Sequence, residues 1–221
     1  MPIETEIKFR VADLAALAGR LESSGFHLQT PRSFESNVLY DTPGRQLRAR
    51  TEILRIRNYA GRWTLTYKRL PGSGVPGGRG PQETARASWA GGEDRHKHRI
   101  ETETGIADGN ALADVFLSLG LVAAFRYEKW RTEWADREGH CVIDETPIGN
   151  YAELEGTSEW IDRTALRLGV DPIEYITLSY GRLFDLWRER RHSAAQDLTF
   201  AAVAGRVQHA VCAPRSFFER A

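Results

Sequence analysis

Apolar and charged residues alternate with a period of two in segment after segment of this chain. Near the N-terminus Ile3, Ile7 and Phe9 fall to one side and Glu4, Glu6 and Lys8 to the other. The alternation returns with Arg55 and Arg57, Thr66 and Lys68, Glu101 and Glu103, Lys129 and Arg131, and Glu153 and Glu155, set among Leu54, Ile56, Leu65, Tyr67, Trp130 and Leu154. Residues two apart in a strand share a face. The pattern predicts strands over 2–11, 38–41, 52–59, 62–69, 97–104, 125–136, 140–145 and 151–156, with hairpins around Ala60-Gly61 and Glu138-Gly139.

Between the strands the period lengthens. Leu14, Leu17 and Leu21 share a helical face over 12–24, which Gly25 ends. A second helix is expected over 110–120, with Asn110 as N-cap and Leu112, Val115, Phe116 and Leu119 on one side. A third covers 159–168, capped by Ser158 and stopped by Gly169, and a fourth covers 177–190. Glycine and proline crowd 70–94, which reads as a long loop or insertion; it lacks the Gly-Lys-Ser/Thr ending of a phosphate-binding loop. Residues 191–221 carry mixed signals, as a terminal helix or a tail. The domain expected from the pattern spans 1–190, with 191–221 as an extension of unassigned role.

This count points to an α+β fold: an eight-stranded antiparallel β-barrel tunnel with a charged interior, flanked by helices. About eight strands leave an interior wide enough for side chains or one small ligand. Charges turned inward free the apolar outer wall to pack on the helices.

With 221 residues the chain can bury a sizeable core. Its 30 basic and 30 acidic residues balance, which argues against a surface built for long nucleic acid. Cys141 and Cys212 are far apart without metal-ligand spacing and read as buried or indifferent thiols. No apolar run approaches the roughly 20 residues of a membrane span, and the charged N-terminus is unlike a signal peptide. A soluble cytoplasmic protein is the expectation.

The charged doublets run in same-sign pairs. An exposed salt-bridging strand face accounts for any one of them, but not for their recurrence across six segments. The candidate cations are Lys8, Arg55, Arg57, Lys68, Arg126, Lys129 and Arg131; the candidate acids are Glu4, Glu6, Glu101, Glu103, Asp144, Glu153 and Glu155. Like charges packed in a low-dielectric barrel need a neutralising ligand. The cations suit a triphosphate, and carboxylates without His or Cys partners suit Mg²⁺ or Mn²⁺ rather than zinc. Arg126 is out of phase with Lys129 and Arg131 and needs a bulge to join them. Asp144 precedes Thr146-Pro147, so turn capping competes with a site role there. His96 and His98 read as an exposed, solvated pair, Tyr40 and Asp41 as packing and turn residues, and Arg45, Arg48 and Arg50 as a solvated loop from which one arginine could reach phosphate.

These residues resemble the CYTH superfamily, the triphosphate tunnel metalloenzymes that include class IV adenylyl cyclases and thiamine triphosphatases. The signature Glu-x-Glu-x-Lys stands here as Glu4-Thr5-Glu6-Ile7-Lys8. Leu54-Arg55-Ile56-Arg57, Leu65-Thr66-Tyr67-Lys68, Ile100-Glu101-Thr102-Glu103, the Arg126 to Arg131 run, Asp144, Glu153-Leu154-Glu155 and a Ser179-Tyr180 pair follow in order, over about residues 2–188. The resemblance implies an antiparallel tunnel that binds tripolyphosphate, thiamine triphosphate or a nucleoside triphosphate along its length. It assigns phosphate binding to the cations above and metal binding to the acids, with Glu6, Glu153 and Glu155 as the foremost ligands and Glu6, Lys8, Arg57 and Lys68 in catalysis. It leaves a homodimer open. Hydrolysis of a terminal phosphate is the first expectation. Cyclisation of ATP to cyclic AMP and pyrophosphate is the second, and a non-catalytic polyphosphate or nucleotide sensor, which would not need the acids, is the third. The insertion at 70–94 and the residues beyond Arg190 depart from the family's pattern.

Overall fold

A computed structural model describes residues 3–72 and 95–205, so most of the glycine-rich stretch and the end of the tail lie outside it. The elements in chain order are β1 (Ile3–Arg10), α1 (Leu14–Ser23), β2 (His27–Asp41), α2 (Gln46–Ala49), β3 (Ile53–Tyr59), β4 (Arg62–Arg69), β5 (Lys97–Ile106), α3 (Gly109–Ser118), β6 (Val122–Ala135), β7 (His140–Thr146), β8 (Gly149–Glu155), α4 (Ser158–Arg167), a 3₁₀ turn (Pro172–Glu174), α5 (Tyr180–Arg191) and α6 (Phe200–Val203). The strands close as β1-β5-β4-β3-β2-β6-β7-β8, and every neighbouring pair is antiparallel. The expected α+β barrel is the observed one.

Differences lie at the element ends. β2 begins eleven residues before the expected position 38. Its first half is mostly exposed, carries Pro31 and shifts register twice before Ser33, so it shows no clean alternation. Helix α3 is capped by Asp108 rather than Asn110, and α4 by Thr157 rather than Ser158. In each case the side-chain oxygen of the earlier residue accepts the free amides of the first turn. Ala60 and Gly61 both have positive φ (49° and 78°), which gives the two-residue β3–β4 turn the twist of its strands.

The apolar outer wall is covered on two sides. Ile7, Phe9, Trp134, Ile143 and Leu154 pack against Leu17 and Leu21 of α1 and Trp160, Ile161 and Ala165 of α4. Tyr40 and Ile56, with Leu54 and Leu65, pack against Phe116 of α3. A third cluster lies at one end of the barrel, where Tyr180, Leu183 and Phe184 of α5 meet Tyr127, Tyr151 and Leu198.

Barrel stagger leaves two strand edges short of a partner, and later chain supplies both. β5 pairs with β1 only as far as Glu6, and at Lys8 the edge exchanges two hydrogen bonds with Ile176 (3.0 and 2.7 Å). β7 pairs with β6 only from Trp130 onward. Ahead of that point Leu198 adds a parallel bridge to Tyr127, bonding Arg126 and Glu128 at 2.9 and 3.0 Å. Part of the stretch after Arg190 is therefore built into the wall.

At the start of α3, Gly109 lies against the Trp63 indole: a Cβ there would come within 2.7 Å of ring atoms Cδ2 and Cζ3. Gly109→Ala is expected to cost about 1–3 kcal/mol by overpacking. Urea denaturation would show it as a lowered midpoint at unchanged slope.

Candidate functional site

The register turns the charged positions inward, as the alternation requires. Glu6 stands opposite Lys97 on β5 and Glu155 on β8; Lys8 is opposite Glu153, Lys68 opposite Glu101, Arg55 opposite Thr66, and Arg131 opposite Asp144. They surround a cavity of about 960 Å³. All the sequence-predicted cations border it, as do Glu4, Glu6, Glu101, Glu103, Glu153 and Glu155.

Two predicted residues stand apart. β2 and β6 hold one register from Arg126 through Glu128 to Trp130, so no bulge rotates Arg126 into phase with Lys129 and Arg131. Its neighbour Tyr127 is buried while Arg126 is exposed at the cavity's border. Asp144 is fully buried and does not line the cavity. It lies behind the cations, accepting Lys129 Nζ at 2.9 Å, Arg131 Nε and Nη2 at 2.7 Å each, and the Tyr180 hydroxyl at 2.7 Å. The geometry suits Asp144 to aiming Lys129 and Arg131.

Tyr180, at the first turn of α5, completes this arrangement. Its ring lies 4.4 Å from Lys8 Nζ and 4.9 Å from Lys129 Nζ, so two ammonium groups rest on one aromatic ring. Burial first, and then the nearby Asp144 and Glu153, push its hydroxyl well above the ordinary tyrosine value, which keeps it a donor.

Nearly every inward charge is paired. Lys8 meets Glu153, and Arg131 also reaches Glu153 at 2.9 Å. Lys97 meets Glu6; Lys68 bridges Glu4 at 2.7 Å and Glu101 at 2.9 Å; Arg57 reaches Glu103 at 3.0 Å. Arg55 donates to the Tyr127 hydroxyl (3.0 Å) and Thr66 (3.1 Å). These cations are thus neutralised within the lumen, and a polyanion would have to exchange carboxylates for phosphate oxygens.

The exchange is easiest at the acid end. Burial raises Glu4 to about 7 against the pull of Lys68, with Glu6 and Glu101 adding repulsion. Burial also raises Glu155 against the attraction of Lys68, with Glu6, Glu101 and Glu153 adding repulsion. These carboxylates are short of positive charge, and an all-oxygen set of this kind fits a hard divalent cation such as Mg²⁺ or Mn²⁺. Among the described residues no group of three or more His, Cys, Asp or Glu is gathered to hold a metal ion. Ligation requires the lysine pairs to open first.

Several lumen residues were not expected. Lys97 and Arg99 share the parity of Glu101 and Glu103 and line the cavity, and Arg99 Nη1 is buried without a hydrogen bond. Their signal was the ordinary strand period, masked by the two histidines between which Lys97 lies. Those histidines are not a solvated pair: His96 bonds Asp162 at 3.0 Å and His98 bonds Thr5 at 2.9 Å. Glu35 and Asn37 escaped notice with the rest of early β2. Glu35 is fully buried below Lys129 and Arg131 and accepts Asn37 Nδ2 at 2.8 Å. Asp41 turns the chain by accepting the Thr42, Leu47 and Arg48 amides at 2.7–2.9 Å, which sets Arg45 and Arg48 at the cavity mouth.

Burial alone would raise the Glu35 carboxyl, but Lys129, Arg131, Arg55 and Arg57 hold it down to about 2, from 4.5 in the open chain. A depressed acid contributes stability that is full above the unfolded value and lost as pH falls through the folded one. Glu35 is expected to contribute about 3 kcal/mol at neutral pH, fading between about pH 4.5 and 2. Urea titrations of the wild type and Glu35→Gln across that range should converge at low pH; a constant gap would contradict the ion-pair account.

Comparison with known proteins agrees with this geometry. The model of the CYTH domain matches residues 2–166. A Methanocaldococcus jannaschii protein named "putative adenylate cyclase" is 26% identical over 154 residues, 69% of this chain and 76% of its own length. A Vibrio parahaemolyticus structure, also titled a "putative adenylate cyclase", superposes with a TM-score of 0.65 at 18% identity, covering 83% of this chain and 98% of that one. A Hippeastrum structure, whose title reports a "putative adenylyl cyclase" with a dominant triphosphatase activity, has a TM-score of 0.54 at 19% identity, covering 83% and 96%.

Proposed function

The chain belongs to the CYTH domain family, and from that premise we propose that it hydrolyses the terminal phosphate of a small inorganic or organic triphosphate, with Mg²⁺ or Mn²⁺ as cofactor. One observation carries the reading: Lys8, Arg55, Arg57, Lys68, Lys129 and Arg131 all border a single cavity. Phosphoryl transfer depends mainly on positioning and on charge placed in advance around the transferred group. Arginines offer forked contacts to phosphate oxygens, and lysines offer point charges.

The sequence of events follows from the pairs. Lys68 leaves Glu4 and Glu101, and Arg57 leaves Glu103, as phosphate oxygens take their places. Lys129 and Arg131 stay aimed by Asp144 and Glu35, so their charge costs little reorganisation at the transition state. The freed Glu4 and Glu101, with Glu6 and Glu155, are the groups that would hold the divalent ion, and Glu153 joins them if Lys8 moves to phosphate. The ion supplies Lewis-acid polarisation of phosphoryl oxygens and a source of nucleophilic water.

A second reading, cyclisation of ATP to cyclic AMP and pyrophosphate, draws on the apolar stretch of the lining formed by Leu39, Ala123 and Phe125, against which a base could lie. Incubation with ATP, thiamine triphosphate and tripolyphosphate in Mg²⁺ or Mn²⁺ separates the two. Orthophosphate release without cyclic AMP is expected, and cyclic AMP with pyrophosphate would reverse the order. Arg57→Ala should lower kcat about 10²–10³-fold, by analogy with the loss of one transition-state donor, with an unchanged circular dichroism spectrum. Glu155→Ala should abolish metal-dependent turnover in the same assay, and full activity in that variant would remove it from the metal set.

A further inference from the structure

The family model ends at residue 166, yet the wall of the cavity continues well beyond it. After α5 the chain runs back along β6 as a strap. Leu198 is fully buried and bridges to Tyr127 at the edge β7 leaves open. Asp197 Oδ1 accepts the Arg126 amide at 2.8 Å, and Glu128 accepts the Phe200 amide at 3.1 Å. Four hydrogen bonds to Arg126 and Glu128 of β6 fix the strap in place.

Just before its buried leucine the strap turns Gln196 and Asp197 to the cavity, beside Leu39, Ala123 and Phe125. Gln196 Nε2 is taken by the Ala194 carbonyl at 3.0 Å, which leaves the amide oxygen as an acceptor. Asp197 Oδ1 is occupied by the backbone, which leaves Oδ2. The Phe125 ring stacks on Tyr127 with centroids 6.0 Å apart and a 26° tilt, so this ring of the wall is held in place. An apolar wall with a fixed aromatic ring, edged by acceptors, suits a planar ring that carries N–H donors. Inorganic tripolyphosphate has no use for such a wall, and the Asp197 carboxylate would repel any further phosphate that reached it.

We propose that this strap reads the non-phosphate end of an organic triphosphate, a planar heterocycle bearing N–H donors, and so sets substrate choice. The assignment rests on the triphosphate reading above, and binding measured without turnover tests it separately. Calorimetric titration in the presence of a chelator compares ATP, thiamine triphosphate and tripolyphosphate on the full chain. The wild type should bind at least one organic triphosphate about tenfold tighter than tripolyphosphate. Gln196→Ala and Asp197→Asn should each reduce that ratio about fivefold or more while tripolyphosphate affinity stays the same; both keep Leu198, and the Asn oxygen can still accept the Arg126 amide. Equal affinity for all three ligands in the wild type, a preference that survives both substitutions, or a parallel loss for tripolyphosphate would each overturn the assignment. Failure of the wild type to release phosphate from any of them would instead remove the hydrolytic reading and leave the binding ratio to decide the role of the strap.

Discussion

Charge inside a closed barrel has nowhere to go, and the rest of this structure is organised around that constraint. A buried ion loses its hydration and must recover the loss from partners close by. Here the recovery is collective. Glu35 and Asp144, both fully buried, lie among Lys129 and Arg131, and the Tyr180 hydroxyl closes the set. Removing one member would strand the others, whereas the intact network fixes the direction of two cations without help from solvent. The acid end is built differently: burial first, and then neighbouring carboxylates, raise Glu4 and Glu155 against the pull of Lys68. A rigid basic wall and a charge-starved acidic one therefore face a common space.

That division explains how one lining can be stable alone and still receive a polyanion. The pairs at the acid end are lysine contacts to carboxylates that remain partly accessible, while the pairs around Asp144 are hidden. On the proposed reading anion and metal binding would support each other, because each phosphate contact made by Lys68 would release an acid that favours the cation.

Much of this was legible in the sequence because a strand's period of two leaves no freedom: once Ile7 and Leu154 are outside, Glu6, Lys8, Glu153 and Glu155 are inside. Arg126 was kept among the candidate cations on the expectation of a bulge, and the unbroken β2–β6 register supplies none. Depth was not legible. Asp144 has the parity of a lining residue but sits behind Lys129 and Arg131, because longer side chains reach over it. Glu35 was hidden for a different reason: the register shifts and Pro31 in early β2 erase the alternation that would have announced a strand. Lys97 and Arg99 obeyed the rule and were passed over beside two histidines whose contacts, to Asp162 and Thr5, are made through the fold and leave no trace in local pattern.

The pairing of Glu6 with Glu155 joins the two ends of the barrel's own strand sequence. A ribosome releases β1 first and β8 last, so the first strand must wait for nearly the whole domain before its second edge is covered. Contacts of such sequence separation form late and slowly. Until then Ile7 and Phe9, which end in the main core, are without their final cover. The nascent chain therefore carries a half-apolar strand with one edge open until β8 has emerged.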